Sequence, residues 1–175
     1  MTKALVVVAL AAAPVFAQSA VIDRVAVVVD DHPILRSQVE ERLKADGARA
    51  EQDQQTALAK ARMGLVDDWL IARDAKRDVT IDDAQVESAL NEVGKSNQID
   101  RAQLEAAVKA QGLTMPLYRE MLRTQLLQMR WVMLRQAQSG AKLPADSAER
   151  AKAFDDLKRK LLDALRKRAV IEVYE

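Results

Sequence analysis

Two stretches of the chain, "IDDAQVESAL" from Ile81 and "IDRAQLEAAV" from Ile99, write the same physical device twice. In each, an isoleucine stands before an aspartate, a glutamine follows three residues after that aspartate, and an apolar residue follows four after it. Asp82 and Asp100 are placed to accept hydrogen bonds from the free amides of a first helical turn. Gln85 and Gln103 are placed to reach back, and Ile81 and Ile99 to pack on Val86 and Leu104. That is a capping box with a hydrophobic staple, and it commits the middle of the chain to two successive helices. A second meaning, Asp82, Glu87, Asp100 and Glu105 as paired catalytic acids, lacks any sign of the apolar pocket that would separate carboxyl pKa values.

Helix starts and stops recur on either side. Leu58, Leu65, Trp69 and Ala72 form one stripe, and Met63, Val66 and Leu70 another, on a helix expected over Glu51 to Lys76. The helix from Arg101 is expected to end at Gln111-Gly112, where glycine suits a left-handed cap. Thr114 caps the next, with Pro116 in its first turn, and that helix runs to about Gln138. Asp146 and Glu149 have capping-box spacing for a last helix, whose apolar stripe is Phe154, Leu157, Leu161 and Leu165. An earlier helix is expected to open at Ser37, paired with Glu40. Aromatics at 3%, five glycines and four prolines are too few for an all-β chain.

Strands are expected only at the edges of this pattern. Val25, Val27 and Val29 alternate with Ala26 and Val28, Asp30-Asp31 is a turn signal, and His32-Pro33-Ile34 reads as a short return strand on an edge. Val79 and Thr80 favour β structure between two helices, and Val170, Ile171, Val173 and Tyr174 read as a C-terminal strand. The fold class is therefore mainly α, about six helices, with a small β element pairing the N-terminal and C-terminal strands.

Residues 1–17 carry Lys3, an apolar run from Ala4 to Phe16, and Val15 and Ala17 before an expected cleavage, the pattern of a signal peptide. The run is shorter than the roughly twenty residues a membrane span needs, so stable membrane insertion is not expected. Residues 18–175 then form a single domain, with 21–144 as its core and 145–175 as a completing helix and strand. The chain has no cysteine, which excludes disulfides and thiolate chemistry. Its 27 Lys and Arg against 26 Asp and Glu give no basic excess for nucleic acid. His32 is the one histidine, beside two aspartates in a turn, and no phosphate loop or nucleophile motif is present. No cofactor, metal or catalytic constellation is expected, and an enzyme is not.

The stretch from Thr114 to Gln136 is the most informative for function. Tyr118, Leu122, Met129 and Met133 lie on one helical face with Leu126 adjoining, while Leu117, Leu127, Trp131 and Leu134 lie on another. Four of the six methionines fall in it, and an unbranched thioether re-packs around varied partners. The apolar groups are either all core, or core on one side and a groove for apolar chains on the other. The groove reading names Met63, Trp69, Leu70, Met115, Tyr118, Met121, Leu127, Trp131 and Leu134 as client-binding residues.

The opening "VIDRVAVVVDDHPILRSQVEERL", a long helix, and then "VTIDDAQVESALNEVGKSNQIDRAQLEAAVKAQGLTMPLYREMLRTQLL" resemble the N-terminal chaperone domain of the SurA family of periplasmic foldases. The resemblance covers about Val21 to Pro144 and implies an ATP-independent holdase for unfolded outer-membrane proteins, completed by the C-terminal helix and strand. Many family members carry a parvulin isomerase domain, but between Pro144 and Asp146 there is no room for one, so isomerase activity is not implied. The turn at Asp31-His32-Pro33 also lacks the family's usual Asn-Gly. The same helix faces would equally suit a non-catalytic dimerising adaptor of the envelope, and a homodimer is compatible with either reading.

Overall fold

The computed structural model describes residues 23–46, 54–140 and 144–174, so the expected signal peptide and positions 51–53 of the helix expected over Glu51 to Lys76 lie outside the described residues. Strand β1 (Val25–Val29) turns back into β2 (His32–Leu35) through Asp30 and Asp31. The turn needs no Asn-Gly, because Asp30 itself takes the left-handed conformation at φ 56°, one that aspartate tolerates better than most residues. β3 (Ile171–Val173) lies antiparallel on the other side of β1, giving the order β2-β1-β3. The expected N-terminal and C-terminal strands thus pair in one sheet.

Helix α1 (Arg36–Ala45) begins earlier than the Ser37–Glu40 spacing suggests. Leu35 is its N-cap residue, and the Leu35 N–H donates to Oε1 of Gln38 at 2.7 Å. Ser37 sits within the first turn, donating its amide to Oδ1 of Asp23 at 3.3 Å and its hydroxyl to the other oxygen of the same carboxylate. β2 runs directly into α1, so the acceptor for that turn comes from the segment before β1. Glu40 pairs instead with Arg36 at 3.1 Å.

The remaining helices are α2 (Gln54–Ala75), α3 (Asp83–Asn97), α4 (Arg101–Ala110), α5 (Met115–Ser139) and α6 (Ser147–Arg166). Both capping boxes form: the Gln85 and Gln103 amides donate to Asp82 and Asp100 at 2.8 Å, and the aspartate amides donate back at 3.1 and 2.9 Å. Thr114 and Asp146 cap α5 and α6. Gly140 closes α5 at φ 65°. Gly94 meets a close approach instead: a Cβ there would stand 3.0 Å from the Ile99 carbonyl oxygen, tight enough that the neighbouring chain would have to give by a few tenths of an ångström. Val79 does not join a strand; its amide donates to the Ala75 carbonyl and its side chain packs on the core.

The buried residues fall into two clusters. The first joins the sheet, α1, α2, the C-terminal half of α5 and α6 through Val27, Val29, Val66, Leu70, Ile71, Trp131, Val132 and Leu162. The second joins α3, α4 and the N-terminal half of α5 through Val86, Leu90, Leu104, Val108, Leu113 and Leu122. Helix α5 is the strut common to both.

Candidate functional site

Helix α5 carries apolar side chains on more than one face because its two halves serve different clusters. Tyr118, Met121, Met115 and Leu117 pack partly buried on the second cluster. Leu127 packs on the first, as does Met63 from α2. The two halves need opposite sides of the helix, so its apolar pattern spreads around the axis.

Leu70 and Trp131 are 0% and 1% exposed, which corrects their placement on a binding groove: both are core. Trp131 is held there by a polar anchor. Its indole N–H donates to Oδ2 of Asp74 at 2.7 Å, and Arg135 reaches the same oxygen at 2.8 Å. Burial acts to raise the Asp74 pKa, but the hydrogen bonds from Trp131 and Arg135 outweigh it and hold the carboxyl below its ordinary value. Trp69 is half-buried and covered on its rings: His32 stacks on it at 5.1 Å, and the Arg73 guanidinium lies 4.6 Å from it. Arg73 in turn pairs with Asp30 of the hairpin turn. Leu134 is half-buried.

Of the open clefts beside α5, two bear on apolar binding. One, of about 410 Å³, lies between α1, α2 and α5, with Leu65, Leu117 and Met121 among polar residues. On its wall Arg42 meets Asp68 at 2.6 Å, Gln128 donates to Asp68, and Lys158 of α6 donates to Gln128 at 2.6 Å. Burial pushes the Asp68 carboxyl up, against the opposing hydrogen bond and charge of Arg42. This chain of polar contacts ties four helices together.

The other cleft, about 420 Å³, lies between α5 and α6 and is lined by Met129, Met133, Ala151 and Phe154, with Arg150, Asp155, Gln136 and Ser147 at its margin. Met129 and Met133 are 40% and 52% exposed. These are the least covered methionines described, and a surface of flexible thioethers beside one aromatic ring suits apolar ligands of varied shape. The groove reading bet on neither. By helical spacing both share a face with Leu122, which is core, and Phe154 shares a stripe of α6 with Leu157, Leu161 and Leu165. A methionine excess on α5 was the available signal, but its pairing with α6 is a tertiary fact. The polar groups Ser147, Arg150, Asp155 and Gln136 stand at the cleft's margin, and among the described residues no acidic or histidine cluster could hold a metal. Among those residues, too, no helix is long and apolar enough to cross a membrane.

The chain's similarities agree with this architecture. It is 38% identical over 112 residues to Chaperone SurA of Vibrio cholerae, and 30% identical over 112 residues to Chaperone SurA of Aliivibrio fischeri. Each match takes in 60% of this chain and 26% of the relative, so the chain spans about a quarter of the length of these curated relatives. A solved structure reported with the SurA-like chaperones PEB4 and Cj1289 of Campylobacter jejuni overlaps 78% of this chain and 50% of its own at 20% identity, with a TM-score of 0.48. The profile described as the SurA N-terminal domain matches residues 22–133, from before β1 into the C-terminal half of α5, and on that match the chain belongs to the SurA N-terminal domain family.

Proposed function

We propose that the protein is an ATP-independent holdase of the periplasm that binds extended apolar segments of unfolded envelope proteins, outer-membrane proteins among them. The relatives named Chaperone SurA support the chaperone class. The observation that carries the mode of binding is the α5–α6 cleft, where Met129, Met133 and Phe154 offer apolar surface that the fold leaves open. Arg150 and Asp155 at its margin keep the loaded surface hydrated. Of the residues named from the sequence, Met121 lines the α1–α2–α5 cleft, Met63, Trp69, Met115, Tyr118, Leu127 and Leu134 are likewise half-buried, and Leu70 and Trp131 act through the fold alone.

Covering a methionine fully contributes about 1.5–3 kcal/mol, and these two start roughly half covered. Each contact is therefore worth about tenfold in affinity. The test is suppression of aggregation of an unfolded outer-membrane barrel protein by the mature chain. Replacing Met129 and Met133 together by serine is expected to weaken suppression by one to two orders of magnitude, about tenfold per site, with helical content unchanged. Full suppression by that variant overturns the cleft. A tight dimer with no suppression by the wild type favours the adaptor reading.

A further inference from the structure

The three-stranded sheet has two edges, and they are not alike. Val29 and His32 close the hairpin, so the His32 backbone faces β1 and the backbone of Pro33 faces outward. The outer edge of β2 therefore meets solvent with a residue that has no N–H, a common way of blunting an edge. On the other side, the Asp30 amide donates to the Val170 carbonyl at 2.8 Å and the Tyr174 amide to the Ala26 carbonyl at 3.0 Å, with Val28 opposite Glu172. Residues 170, 172 and 174 thus turn their backbone toward β1, and parity turns the N–H and C=O of Ile171 and Val173 outward. Among the described residues no strand pairs with that edge.

The side chains there are bare as well. Val173 stands opposite Val27, on the sheet face turned to the core, yet it is 53% exposed where Val27 is 0%. Val170 and Tyr174, on the opposite face, are 61% and 47% exposed. No proline, lysine or arginine guards β3, and its one charged residue, Glu172, is engaged by the Tyr174 hydroxyl at 2.8 Å.

We propose that β3 takes an extended client segment as a fourth strand, main chain to main chain, with apolar residues at alternate positions of the client. An occupant must supply backbone donors and acceptors in extended register to satisfy Ile171 and Val173, which an unfolded polypeptide does along its length and a folded surface does only at a bare strand edge. One alternating face would cover Val173, continuing the core face of the sheet. This rests on the holdase reading and adds to it a backbone-directed, sequence-tolerant subsite beside the side-chain cleft.

The test is amide hydrogen exchange on the full mature chain, with and without a short peptide alternating valine or tyrosine with threonine. At saturating peptide the Ile171 and Val173 amides are expected to slow at least about tenfold, as amides entering a hydrogen-bonded ladder do. The Glu172 amide, already turned to β1, should change little. Val173→Pro removes an outward donor without touching the β1 ladder and is expected to weaken peptide binding about tenfold with an unchanged melt, the effect of losing one well-made main-chain bond. A peptide N-methylated at alternate amides should bind as weakly to the unchanged protein. Slow exchange of Ile171 and Val173 in the free chain overturns the proposal, because the edge is then already taken. So does protection that rises with protein concentration alone, which assigns the edge to a second copy. If a barrel-protein client is held soluble while both amides exchange freely, the edge proposal fails and the holdase reading stands; if nothing is held soluble, the holdase reading itself has failed.

Discussion

Single side chains decide how tightly this fold is specified. Asp82 and Asp100 each satisfy the first turn of a helix, and either change to alanine is expected to cost about 1 kcal/mol. A lower urea midpoint with an unchanged slope would show it. Asp74 acts at longer range, holding Trp131 and Arg135. Burial works to raise its pKa, but those two hydrogen bonds win, so its folded value lies below the ordinary 3.8. Its contribution is therefore complete above that ordinary value and fades as pH falls through the lowered one. Asp74→Asn should remove this acid-sensitive part of the stability, read as a flatter plot of urea midpoint against pH on the acid side. Asp68 has the opposite sign: burial raises its pKa, so acidification between 3.8 and the raised value strengthens the fold at that residue. The caps were legible in the sequence because both partners lie within one turn. Ser37 was misread as a cap because its acceptor, Asp23, lies fourteen residues upstream, beyond any local pattern.

At the scale of elements, α5 explains most of what the sequence could and could not say. Its length, its Thr114 cap and its Gly140 stop were written locally and are present. Which of its faces is core was not, because the helix changes partners midway: α3 and α4 at one end, α2 and α6 at the other. Periodicity reports that a side is apolar, and it is silent on what covers it. Hence Trp131 was named for the groove and Met133 was not, while the structure has Trp131 sealed at 1% exposure and Met133 open at 52%. The two should part cleanly in experiment. Trp131→Ser is expected to lose about 3–5 kcal/mol, the range for emptying a large core site, seen as a collapsed thermal melt. Met133→Ser should leave the melt in place and reduce client retention.

The molecule as a whole has two apolar clusters strung on one helix, and its cooperativity depends on that strut. Leu104 belongs to the smaller cluster at 5% exposure, and nothing in it reaches the sheet. Leu104→Ala is expected to cost about 2–5 kcal/mol locally. Amides of α3 and α4 should then exchange faster than those of α2 and β1, whereas uniform acceleration would mean a single cooperative unit. The large-scale plan was legible in part. Pairing of the N-terminal and C-terminal strands was expected from the two β-favouring runs and is present between β1 and β3. The clefts were not, since each is made by residues far apart in the chain that only packing brings together.

The Val170 amide donates to Asp30 across 140 positions of sequence, and β1 is flanked by β2 on one side and β3 on the other. A ribosome makes β1 and β2 almost at once but delivers β3 only after all six described helices, so while those helices are being made β1 has one flank raw. A message cut short before codon 170 would therefore release a chain with its helices written in full and an adhesive ribbon at their base, itself a candidate for rescue by the intact protein.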